Sequence, residues 1–322
     1  MARLILTIIL ALSAPLAFAQ RAGDYPTKPI RLMVPYPPGG SADIAARIVA
    51  QKLTEAWGQQ VIVDNRGGAG GIIATGIVAK AVPDGYTLLH GTPTGLVINS
   101  LLTKGLPYDA SRDFTAIGMV VIVPQMLVVH PATAANSLKE LIALAKAKPG
   151  QLNYGSVGTG SPNHLGMELL NSMAGIVMVH IPYKGSVPAL TDLIGGQVQL
   201  MFNGMSSVVH HVRSGKLKAI AIGSLNRSPA APDVPTVAEA GVPGFEYTTW
   251  NGIFAPARAA HAIVAKFNSE MMKALKAPDV VQRLADQGSE PGSGSPEQFA
   301  AYVKEEFTKW ARVIKIAGIK TP

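Results

Sequence analysis

The chain contains no cysteine. Thiolate nucleophiles, disulfides and cysteine-held metals are therefore excluded. Charge is sparse as well: Asp, Glu, Lys and Arg together make up 15% of the residues, and aromatic residues 6%. No block of like charge occurs, and Lys and Arg are scattered, so a nucleic-acid surface is not expected. The formal charge of +8 falls by one if Arg3 leaves with a cleaved leader. What remains reads as a soluble, mildly basic surface, with which a mild field attracting anionic ligands is compatible.

Catalytic and cofactor signatures are missing too. The histidines at 90, 130, 164, 180, 210, 211 and 261 include no H-E-x-x-H pattern, and adjacent His210 and His211 fall on different sides of a helix; no metal is expected. No G-x-S-x-G elbow is present. The glycines of "GSVGTG" do not fit G-x-G-x-x-G, and "NRGGAGG" lacks the Lys-Ser/Thr of a phosphate loop, so no cofactor is expected. Past the N-terminus, no apolar run reaches the ~20 residues of a membrane span.

The N-terminus itself, "MARLILTIILALSAPLAFAQ", has a short basic start at Arg3, an apolar stretch from Leu4 to Leu12 and beyond, and a small-x-small pattern at Ala17-Phe18-Ala19. Residues 1–19 read as a secretory signal peptide. The expected mature protein is exported and soluble, without lipid attachment, and relies on its own core. With 322 residues and 48% hydrophobic content it can build one.

Strand and helix patterns alternate. Ile30–Val34, Gln60–Asn65 and Tyr86–His90 read as strands, with helices over Ser41–Trp57 and Ile72–Ala81 between them. This β-α-β-α-β series predicts a largely parallel sheet with right-handed crossovers. The stretch Ile117–Pro131 is too long for an ordinary strand and has Pro124 at its centre, which fits a strand passing from one sheet to another. A second alternating series runs from Ser137 to Ile222, and Tyr247–Pro256 reads as the return crossing. Ser295, Pro296 and Gln298 carry a capping-box signature opening a last helix, whose apolar stripe is Phe299, Val303, Phe307 and Trp310. The expectation is a two-domain α/β protein. Domain 1 comprises 24–122 and 250–322, and domain 2 comprises 123–249, able to close over a cleft.

Each half has a Gly/Pro/Ser-rich corner between a strand and a helix. Corner one is Tyr36 to Ala42, and corner two is Ser156 to Asn163. Such corners lie at the carboxyl ends of strands, where α/β proteins bind ligands. Helix starts carry unpartnered amides and about half a positive charge, so a carboxylate can be held there without Lys or Arg. An ordinary capped turn explains either corner alone; the matched pair favours a ligand site.

The motifs "YPTKPIRLMVPYPPGGSADIAARIVAQKL", "VDNRGGAGG", "PDGYTLL", "NYGSVGTGSPNHL", "HIPYKGSVPALTDLIGGQVQLMF", "PDVPTVAEAG" and "WNGIFAPA", in this order, resemble the Bug family. These are extracytoplasmic solute receptors of tripartite tricarboxylate transporters, and the resemblance runs from Tyr25 to the C-terminus. It implies a Venus-flytrap fold of the type II periplasmic-binding-protein kind. It further implies a periplasmic receptor, not an enzyme, that grips a ligand carboxylate between the corners, partly through water. The small and large membrane subunits of the transporter would be its partners, and a monomer is the default. On matching positions it implies ligand contacts from Tyr36, Pro38, Gly39, Gly40, Ser41 and Ala42, from Thr92 and Thr94, and from Gly158, Thr159, Gly160, Ser161 and His164. Tyr183 and Asn203 would line the far end. Asn203 stands where the family often has Asp, which favours an ammonium-free carboxylate. "APARAAHAIV" replaces the family's usual "APAGTP". A sensing adaptor for a membrane kinase, or an exported Ser/His hydrolase built on Ser161 and His164, remain the alternative readings.

Overall fold

The computed structural model describes residues 25–319; the leader reading of 1–19 lies outside them. The chain opens as β1 (Ile30–Val34), α1 (Ser41–Trp57), β2 (Val61–Asn65), α2 (Ile72–Ala79) and β3 (Thr87–Gly91). β1 pairs in parallel with both β2 and β3. A π-helical turn at Thr94–Ile98 runs straight into α3 (Asn99–Leu102).

β4 (Phe114–Val129) is one strand of 16 residues. Its first part, to Pro124, pairs antiparallel with β9 (Thr248–Pro256); from Gln125 onward it pairs antiparallel with β7 (Leu200–Gly204). The strand thus leaves one section of sheet and enters another at Pro124, as its central proline suggested. Proline gives no N–H to a ladder, and Gln125 bridges the break by donating from Nε2 to Thr249 Oγ1 at 3.0 Å.

The second section adds α4 (Leu138–Ala147), β5 (Asn153–Ser156), α5 (Pro162–Ala174), β6 (Val179–Pro182), α6 (Ser186–Ile194), α7 (Met205–Arg213) and β8 (Lys218–Ile222). The order along the whole sheet is β2-β1-β3-β9-β4-β7-β5-β6, with β8 against β4. After β9 come α8 (His261–Leu275), α9 (Pro278–Ala285), a short β10 (Glu290–Pro291) on β4, and α10 (Pro296–Ile316). The architecture is α/β, a mixed sheet flanked by helices.

Local chemistry sets the ends of these elements. Ser295 Oγ accepts from the Gln298 amide at 3.3 Å while Gln298 Oε1 accepts from the Ser295 amide at 2.8 Å, the reciprocal box read from sequence. Along α10, Phe299 and Trp310 are buried, and Val303 and Phe307 pack half-buried against the core. Buried Glu306 accepts from the indoles of Trp250 at 3.0 Å and Trp310 at 2.9 Å and is ion-paired to Lys309, which offsets the cost of burying its charge. This pins α10 across the sheet.

Candidate functional site

Two turns and one helix wall a cleft of about 710 Å³. Tyr36 and Gly70 come from the ends of β1 and the loop after β2. Thr94, Asn99, Leu102 and Thr103 come from the π-turn and α3. Val157 to Asn163 form corner two, and Gly185 and Ile319 complete the lining. None of these residues bears a formal charge. The walls offer the hydroxyls of Tyr36, Thr94, Thr103, Thr159 and Ser161, the carboxamides of Asn99 and Asn163, and apolar surface from Leu102, Val157, Pro162 and Ile319.

Corner two is tightly bonded within itself. Ser161 caps α5, its Oγ accepting from the His164 amide at 3.3 Å, and Pro162 occupies the first helical position. The Ser161 amide bonds Gly158 O at 3.1 Å, the Gly158 amide bonds Ser156 Oγ at 3.1 Å, and the Gly160 amide bonds His164 Nδ1 at 3.0 Å. Val157, Thr159 and Asn163 are left as the main-chain donors of this corner. The hydroxyl proton of Ser161 remains free, since its oxygen accepts in the cap. The expected row of open amides is therefore thinner here than the sequence suggested.

Corner one is organised differently. Gly40 caps α1 without a side-chain bond. Asp43, in the first turn and 2% exposed, accepts from the Gly39 amide at 2.9 Å, from Arg47 Nε at 3.0 Å and from Asn65 Nδ2 at 2.9 Å. Burial alone would raise its carboxyl pKa; these donors outweigh that and hold it below the ordinary value. Asn65 Nδ2 also donates to Tyr36 O at 3.0 Å, and Tyr36 OH meets Thr92 Oγ1 at 3.0 Å. Tyr36 is thus held from both ends where it enters the cleft.

The sequence-derived set divides accordingly. Tyr36, Thr94, Gly158, Thr159, Gly160 and Ser161 line the cleft. Pro38, Gly39, Gly40 and Ser41 are exposed beside it, Ala42 is buried in the core under α1, and Thr92 is buried behind Tyr36. Three more make bonds within the fold and are not part of this lining. His164 is buried at corner two, its ring accepting from the Gly160 amide. Tyr183 turns to α6, donating from its hydroxyl to Asp192 Oδ2 at 2.8 Å. Asn203 is buried, donating from Nδ2 to Ser186 Oγ at 3.0 Å and accepting from the Gly204 amide at 2.8 Å.

The Ser161–His164 pairing that a hydrolase would need is not formed. The Ser161 hydroxyl contacts the backbone of His164, not its imidazole. Among the described residues no cluster of three His, Asp or Glu side chains could hold a metal ion. No helix of the described residues is long and apolar enough to cross a membrane.

Gly70, Asn99, Leu102, Thr103, Gly185 and Ile319 line the cleft outside both corners and outside the residues the resemblance implies. Asn99 and Leu102 sit on a helix too short to show a period, and Ile319 arrives from the chain's far end with no local signal.

The model of the tripartite tricarboxylate transporter family receptor matches residues 45–319. The chain is 40% identical to BugT of Bordetella pertussis, over 99% of each chain. It is also 40% identical to a UPF0065 protein of Pseudomonas sp. strain P51, over 97% of this chain and 93% of that one. A protein of R. palustris solved with adipate superposes with a TM-score of 0.83 at 36% identity, covering 92% of this chain and 99% of that one. MatC of Rhodopseudomonas palustris, with bound malate, superposes with a TM-score of 0.78 at 33% identity, over 90% of this chain and 100% of that one. The match across most of its length, added to the fold and the paired corners, makes this chain a member of the tripartite tricarboxylate transporter receptor family.

Proposed function

We propose that this receptor captures a small organic carboxylate in the cleft, outside the cytoplasmic membrane, and delivers it to the small and large membrane subunits of a tripartite transporter. The observation that carries the reading is a cleft without charged side chains, walled by hydroxyls, carboxamides and a capped helix start. Family members of the same fold hold adipate and malate. A carboxylate loses hydration on entering, and several neutral donors together with the α5 dipole offset that loss. With no fixed anion on the walls, nothing repels it.

In this reading the described residues of 24–122 and 250–322 form one lobe and 123–249 the other. Thr159, Ser161, Asn163 and Tyr36 hold the ligand in the open cleft. Gly40, Ser41 and Ala42 add main-chain donors as the lobes approach, so that ligand shifts the population toward closure. The absence of an acidic wall residue disfavours amino acids.

A thermal-shift panel tests this. It contains adipate, malate, citrate, benzoate, aspartate and a neutral sugar. A bound acid at a hundred times its Kd stabilises the fold by about 2.7 kcal/mol and raises the melting temperature. A rise with the sugar and with no acid would overturn the proposal. Recovery of the bound acid chemically unchanged after prolonged incubation is expected of a receptor; a product peak would show turnover.

A further inference from the structure

Behind corner two lies a cluster of rings that the carboxylate-binding reading does not use. His164 on α5 and His180 on β6 stack with centroids 3.7 Å apart and planes 9° from parallel. Tyr154 of β5 lies beside this pair, 5.1 Å from His180 and 6.3 Å from His164, and its hydroxyl bonds Glu168. The parallel register that sets Tyr154 opposite His180 builds this cluster.

Each histidine reaches one glycine of the cleft wall. His164 Nδ1 accepts the Gly160 N–H at 3.0 Å, which puts the neutral ring's proton on Nε2. His180 Nε2 meets Ser156 Oγ at 2.6 Å, and the same oxygen accepts the Gly158 N–H at 3.1 Å and lies 3.0 Å from Gly158 O. Gly158 and Gly160 both have positive φ, +133° and +75°. Glycine adopts them without a Cβ penalty, so what holds this loop in one geometry is its hydrogen bonds. Between the two glycines stands Thr159, a residue of the cleft lining whose amide none of these bonds engages.

We propose that the stacked pair His164 and His180 is the positioning device of the ligand site: through Gly160 and Gly158 it fixes the loop that presents Thr159 and Ser161. The inference rests on the carboxylate-binding reading for its purpose, but not for its test. His164 and His180 are positioning residues and touch no ligand. A neutral imidazole suits the task because it accepts a bond without placing an anion behind an anion site. Burial, then the neighbouring His180, pushes His164 down to about 4, and burial pushes His180 down to about 4. His180 is the titratable ring that acts on His164; from the other elements of the cluster come Tyr154 of β5 and, on α5, Glu168, which is engaged by the Tyr154 hydroxyl. Both rings therefore stay neutral through the physiological range, His164 accepting from Gly160 and His180 bonded to the Ser156 hydroxyl, whose proton goes to Gly158 O. Once protonated, His164 would turn a donor toward the Gly160 donor, and the loop would open.

The test uses ligand-free protein, so its failure is distinct from failure of the carboxylate reading. Amide exchange and the amide resonances of Gly158 and Gly160 are followed by NMR from pH 7 to 4, with the histidine rings. In the native protein both amides should shift with the inflection of the rings, and Gly160 should be protected at neutral pH. His164→Leu removes the acceptor and should speed Gly160 exchange at least tenfold, while the core amide of Leu127 stays protected as a control of folding. His164→Asn, whose Oδ1 replaces Nδ1, should restore protection and abolish the pH inflection at Gly160. His180→Leu should release Gly158 in preference to Gly160. Gly160 exchange unchanged in His164→Leu, or a Gly160 inflection that persists in His164→Asn, would overturn the proposal.

Discussion

The two corners occupy equivalent places in a repeated strand–turn–helix unit, yet they are secured by opposite chemistry. Corner one is tied by a carboxylate: Asp43 holds the Gly39 amide and is itself neutralised by Arg47, whose side chain is 51% exposed. Corner two is tied by neutral groups, His164 and Ser156. The difference follows from where each loop stands. Gly39, Gly40 and Ser41 are exposed, so the counter-ion of Asp43 can remain hydrated. Corner two forms the cleft wall, where a fixed carboxylate would repel a bound anion and a fixed cation would hold one without discrimination. The lesson is that equivalent loops diverge in the charge of their supports according to how closely a ligand approaches.

The sharpest way to break this comparison is to exchange freedom for bulk at one glycine of each corner. Gly160 has φ +75°, and a Cβ there would stand 2.7 Å from Leu102 Cδ1. Gly160→Val should weaken the best acid of the thermal-shift panel about 100-fold, or about 2.7 kcal/mol, with the far-UV spectrum retained. Calorimetric titration reads the loss, and undiminished affinity would remove corner two from the site. Asp43→Asn comes next. It breaks the ion pair with Arg47 and should lower urea stability at pH 7 by about 2 kcal/mol. Because the folded carboxyl pKa is depressed, that stabilisation is present above its ordinary value of 3.8 and disappears as pH falls below it through the folded value. The native-minus-variant difference should vanish in strong acid.

Corner two answers to a different pH window. His164 and His180 titrate near 4 when folded and at 6.5 when unfolded, so the unfolded chain takes up protons first. Their contribution is complete above pH 6.5 and is lost between 6.5 and 4. Over that window His164→Asn should flatten the stability slope by up to about 1.4 kcal/mol per pH unit. Urea melts at pH 7, 6, 5 and 4.5 measure it, and an unchanged slope would place the His164 proton affinity elsewhere. The smallest effect belongs to Gly40→Ala. Gly40 is extended, at φ −79° and ψ 167°, and its nearest neighbour to an added Cβ is Pro37 O at 4.0 Å. Affinity and stability should move by less than about 0.5 kcal/mol, in contrast to Gly160.

Much of this was written in the sequence at short range. The β-α-β start, the long strand interrupted by Pro124, the Ser295–Gln298 box and the position of both corners follow from spacing within a dozen residues. The inward turn of Tyr183 and Asn203 was not legible, because it depends on α6 bringing Asp192 and Ser186 beside them. The pairing of His164 with His180 rests on strand register between β5 and β6, which neither residue encodes alone. The role of Asp43 was hidden for a simpler reason: an acid in a helix's first turn is common surface chemistry, and only burial distinguishes this one.

The two sections of sheet are joined through β4 and β9, hydrogen-bonded neighbours from Phe114 opposite Pro256 to Pro124 opposite Thr248. A joint of that kind is a leaf spring, not a string. It resists bending over its whole length, returns when released, and yields most where Pro124 omits a rung. In the two-lobed reading proposed above, a swing of one half against the other would be graded by stiffness, and an occupant bridging both halves would work against a restoring torque.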